Sequence, residues 1–84
     1  MTYTYATSGT CSRQIDFELD GNIIKNLVFT GGCHGNLQGI AKLVEGMTAE
    51  EAIKRLRGIC CGSKTTSCPD QLAIALEAAL EKQN

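Results

Sequence analysis

From Ile15 to Asp20 the chain reads Ile-Asp-Phe-Glu-Leu-Asp, apolar and acidic residues in strict alternation, and Gly21-Asn22 follows at once. Side chains of a strand point to opposite faces with period two, so this run is a strand with one buried face and one wet face. Asp-Gly-Asn is a hairpin turn signal, and Ile23 to Thr30 is the expected return strand. Its parity is broken: Leu27 and Phe29 share a face, while Ile24 falls on the other. A bulge near Lys25 and Asn26 restores all three to one side. Tyr3 to Thr7 is a candidate third strand. A sheet with one apolar face must bury it against another layer, which constrains everything downstream.

The rest of the chain supplies that layer. Gly31-Gly32 ends the strand, and Leu37, Ile40, Ala41 and Val44 then recur at helical spacing, with Gly46 as the stop. Thr48 and Glu51 form a capping box for a second helix, whose stripe is Ala49, Ala52, Ile53 and Leu56. Lys54, Arg55 and Arg57 suit the negative end of its dipole, and Gly58 ends it. After a loop from Ile59 to Thr66, a last helix opens around Ser67 to Pro69. Pro69 is expected at its first position, Asp70 in its first turn, and Leu72, Leu76, Ala79 and Leu80 on its core stripe. The expected fold is α+β: two or three antiparallel strands followed by three helices, in two layers.

Eighty-four residues leave room for one domain, expected to span 1–84. A chain this short buries roughly 60% of its unfolded surface, so a staple or a partner is plausible. The net charge is −1 with mixed signs, and nothing in it points to nucleic acid or an anionic membrane. No apolar run reaches the roughly 18 residues of a membrane span. Met1-Thr-Tyr-Thr-Tyr-Ala lacks the basic and apolar regions of a signal peptide, so the expected location is cytoplasmic. In a reducing compartment five cysteines in 84 residues point to metal or redox chemistry before disulfides.

The cysteines sit at element ends. Cys11 precedes the alternating strand, Cys33 and Cys68 stand at helix starts, and Cys60 and Cys61 lie in the loop before the last helix. Unpaired N–H groups at a helix start favour the thiolate, the form that binds metal. Four thiolates are a set that zinc accepts, although no C-x₂-C pair is present. Taken singly, each cysteine reads as a small buried hydrophobe; as a set flanked by Gly, Pro and loop positions they read as ligands. Local physics does not choose between Cys60 and Cys61, and Cys60, following Ile59, reads as a buried residue. His34 has a ligating ring, but a lone histidine at a helix start ordinarily has no chemical role. Asp70 reads as a helix-dipole partner. The run from Gly58 to Thr65 lacks the GK[ST] order of a phosphate loop, and Gly31 to Gly35 reads as a tight turn. No Ser-His-Asp set is defensible.

The run Thr66 to Ala73, "TSCPDQLA", resembles the signature of the TSCPD family, as do "TCSRQI" around Cys11, "GGCHGN" around Cys33, "LVEGMTAEEAIKRL" and "CGSKTTSCPDQLA" from Cys61. Related domains form C-terminal pieces of adenosylcobalamin-dependent ribonucleotide reductases, where the cysteines are thought to hold a metal. The resemblance implies a metal set of Cys11, Cys33, Cys61 and Cys68, favouring Cys61 because it precedes Gly62. It also implies a ribonucleotide reductase as partner in DNA precursor synthesis. Eighty-four residues hold no space for a radical cofactor, a nucleotide pocket and a substrate channel, so no reductase activity is expected of this chain alone.

A weaker resemblance is to iron–sulfur scaffolds of the NifU/IscU type, whose three cysteines match Cys11, Cys33 and Cys68 in order. Arg13 stands where the scaffold pattern has an Asp that keeps its cluster labile. That departure, with Cys61 added, favours a closed four-thiolate site. The leading expectation is a structural zinc; the alternatives are an iron–sulfur cluster carrier and a thiol donor to a reductase using Cys60, Cys61 and Cys68.

Overall fold

The computed structural model describes residues 2–7, 9, 12–32, 34–60, 62 and 66–83, except the side chains at positions 34 and 83. Three strands, β1 (Thr2–Ala6), β2 (Ser12–Asp20) and β3 (Ile23–Gly31), precede three helices, α1 (His34–Val44), α2 (Ala49–Leu56) and α3 (Cys68–Gln83). The sheet is antiparallel in the order β1-β2-β3. The chain is thus an α+β fold, and its third strand is real.

β2 behaves as its alternation dictates: Ile15, Phe17 and Leu19 are buried, while the acidic residues between them are more exposed. Asp20 pairs with Ile23 across a two-residue turn. Gly21 has φ +63 and Asn22 has no positive φ, so the turn needs the left-handed conformation at its first central position, as a II′ turn does. The expected bulge is present: the pairing passes from Asp16–Val28 to Glu18–Lys25, three steps on β3 against two on β2. Asn26 absorbs the extra residue at φ 51. Its side chain donates to Glu18, and its backbone N–H donates to Glu45 Oε2 at 3.1 Å. Ile24 and Leu27 are consequently both buried, and Phe29 packs beside them.

β1 is held by its inner face. Tyr3 pairs with Phe17, and their rings stack with centroids 5.5 Å apart and planes 25° apart. Such a pair contributes about 0.5–1.5 kcal/mol beyond its buried area.

The helices cover the apolar face of the sheet: α1 packs on β3, α2 on α3, and α3 on β2. Leu37 and Val44 of the α1 stripe are buried, with Ile40 and Ala41 half-buried against the core. The turn after α1 is tied to β3, with Gly46 N–H donating to Ile24 O and Ile24 N–H donating to Met47 O, both at 2.9 Å. Thr48 caps α2, its Oγ1 accepting from Glu51 N–H at 3.2 Å. Among the described residues the Glu51 carboxylate turns to Arg55 Nε at 2.9 Å, so half of the capping box forms and an i,i+4 ion pair takes the other half. That exposed pair holds the Glu51 carboxyl below its usual range.

α3 is buried on a wider arc than its leucine stripe announces. Ala73 and Ala75 are as deep as Leu72, Leu76 and Ala79. Small residues there let α2, through Ala49 and Ala52, approach closely.

Candidate metal centre

The start of α3 is tied down by a dense set of hydrogen bonds. Ser67 is its cap: Ser67 O accepts from Gln71 N–H at 2.8 Å, and Ser67 Oγ accepts from Asp70 N–H at 3.2 Å. The same hydroxyl donates to Ile59 O at 2.6 Å, fastening the preceding loop. Cys68 is therefore the first helical residue and Pro69 the second, one position later than proline statistics suggest. The shift costs nothing, because the N–H groups of the whole first turn lack helical acceptors.

Asp70 does more than meet the helix dipole. It is 3% exposed, and its Oδ1 accepts from Gly58 N–H at 2.7 Å and from Arg57 Nη1 at 3.2 Å. Its Oδ2 accepts from the Thr66 hydroxyl, and Thr66 Oγ1 accepts in turn from Gln71 Nε2 at 3.0 Å. Asp70 thus clasps the end of α2 to the start of α3. Arg57 extends the clasp to α3's outer face by donating to Glu77 at 2.8 Å. Glu77 first, then Asp70, holds the Arg57 guanidinium above its ordinary pKa.

The Thr66 hydroxyl, the Gly58 N–H and Arg57 hold the Asp70 carboxyl below the usual range, against a smaller opposing effect of burial. A carboxyl lowered in the folded state stabilises that state above its unfolded pKa, about 3.9. That contribution is lost as pH falls from there through the folded value. Asp70→Asn should flatten the acid limb of the stability curve in this window. Urea midpoints of the two proteins falling in parallel with pH would refute the clasp's ionic character.

Cys68 is buried at 7% exposure, with Sγ 3.1 Å from Ser12 Oγ at the head of β2. Of the other expected ligands, Cys11, Cys33 and Cys61 lie outside the described residues. Described residues near them in the chain bond to Cys68 or to its immediate partners. Ser12, next to position 11, touches its sulfur. Gly31, two residues before position 33, pairs with Ser12. Ile59, two residues before position 61, is bonded to Ser67. Gly9 also lies against this corner: a Cβ built on it would meet Thr66 Cγ2 at 3.0 Å. Among the described residues no group of three His, Cys, Asp or Glu stands together as a metal site.

Cys60 corrects the expectation of a buried residue. It is exposed, and its Sγ lies 3.5 Å from Gly58 O. Ile59 before it is exposed as well, while its carbonyl oxygen accepts from the Ser67 hydroxyl. Cys68 thus presents a buried sulfur at a helix start, faced by a hydroxyl.

A protein-family model described as the TSCPD domain matches residues 1–80. The chain belongs to the TSCPD domain family. No curated protein and no solved structure matches it. In this TSCPD domain the five residues that spell the name have distinct tasks: Thr66 braces Asp70, Ser67 caps, Cys68 presents its sulfur, Pro69 continues the first turn and Asp70 clasps α2. Ser12, Thr66, Ser67 and Gln71 were not singled out as functional positions by sequence reasoning. Ser67-x-x-Asp70 repeats the spacing of Thr48-x-x-Glu51 and is a signal that identifies the cap; nothing local to Ser12 announces its contact with Cys68. No described helix of this TSCPD domain is long and apolar enough to cross a membrane.

Proposed function

We propose that this TSCPD domain is a metal-binding module in which Cys11, Cys33, Cys61 and Cys68 hold one zinc ion, working beside a ribonucleotide reductase in the cytoplasm. The observation that carries the reading is the burial of Cys68 at the start of α3, its sulfur 3.1 Å from the hydroxyl of Ser12, the residue that follows Cys11 in the chain. Bound there, zinc would cross-link four distant points of the chain and leave no open position for substrate, so its work is structural. The association with ribonucleotide reduction rests on family membership and on the resemblance to C-terminal pieces of larger reductases.

Elemental analysis of freshly purified native protein is expected to give about one zinc per chain. Iron with acid-labile sulfide in its place would move the reading to the cluster carrier suggested by the order of Cys11, Cys33 and Cys68. Fully folded protein without metal would end both.

A further inference from the structure

We propose that the Ser12 hydroxyl donates a hydrogen bond to the Cys68 thiolate and thereby positions that sulfur for the metal. The inference rests on the four-thiolate reading and adds a residue to it. Ser12 Oγ and Cys68 Sγ are 3.1 Å apart, within hydrogen-bond reach for oxygen and sulfur. Both residues are buried, at 3% and 7% exposure, so water is a poor competitor for either. Between a thiol and a hydroxyl the direction of donation is open. Ligation closes it: a metal-bound thiolate carries no proton, so the hydroxyl is the donor.

The backbone makes this serine dependable. Ser12 pairs with Gly31, and two residues of β2, Ser12 to Gln14, span one step of β3, Gly31 to Thr30. The irregularity aims Ser12 inward at the point where β2 begins. Its partner sits on the first turn of α3, itself locked by the Ser67 cap and the Asp70 clasp. A donor on the sheet and an acceptor on the helix thus meet across the two layers. Partners of this kind fix a ligand's orientation, and losing one typically costs 10–100-fold in metal affinity.

The decisive measurement uses the native chain loaded with an NMR-active cadmium isotope. A scalar coupling from the Ser12 hydroxyl proton to cadmium is expected, transmitted through the Cys68 sulfur. A serine that merely fills space would give none. Ser12→Ala should lose metal roughly 10-fold more readily to a competing chelator, with Ser12→Thr retaining most of the native affinity. A folded, cadmium-loaded native chain without the coupling overturns the role of Ser12 and leaves the four-thiolate site standing. A native chain that takes up neither cadmium nor zinc overturns both.

Discussion

Treating the native protein with a strong chelator is expected to unfold it, as the proposed zinc site requires. The described core has five large side chains that are fully buried, Phe17, Ile15, Ile24, Leu72 and Leu76. Much of what surrounds them is alanine: Ala49, Ala52, Ala73, Ala75 and Ala79. Alanine lets α2 and α3 approach closely but removes little apolar area from water, and burial stabilises by only about 25 cal/mol per Å². A chain of 84 residues starts from marginal stability. Structural zinc contributes on the order of 10 kcal/mol of apparent folding free energy, and cross-linking four distant points also restricts the unfolded chain. Far-UV circular dichroism during titration with chelator should show cooperative loss of helix, restored by added zinc. Helix content and a sharp thermal transition persisting in verified metal-free protein would remove the structural role.

Phe17→Ala should cost about 3–5 kcal/mol. Phe17 is 1% exposed at the middle of the central strand, stacked on Tyr3 and placed where the bulge brings Ile24 and Leu27 to the same face. Truncation leaves a cavity that three strands and α3 must close over, and it removes the ring that holds the edge strand β1. Val28→Ala is the matched control: Val28 is 55% exposed on β3, and its loss should stay within about 0.5 kcal/mol. Urea midpoints compare the two directly. A Phe17 variant losing less than about 1 kcal/mol would mean that the sheet does not pack as described.

The alternation of Ile15, Phe17 and Leu19, the Gly21 turn and the stripes of α1 and α2 were legible because strand and helix periods are local properties of the chain. Even the bulge at Asn26 was legible, since a one-residue parity break on an otherwise apolar face has one inexpensive remedy. The helix start at TSCPD was legible too, to within one residue.

Contacts between segments far apart in the chain were not. Asp70 looked like a dipole partner because its sequence neighbours explain it that far; its bond to Gly58 exists only because α2 ends where α3 begins. Cys60, which burial beside Ile59 was one way to read, is exposed, as is Ile59 itself. Ser12 has no local signature at all; 56 residues of chain separate it from the sulfur it touches. The sequence by itself determined the elements, the family and the helix start at which Cys68 stands. Tertiary structure alone decided which side chains meet at the start of α3, because hydrogen bonds of a few ångströms depend on packing between layers that no local period encodes.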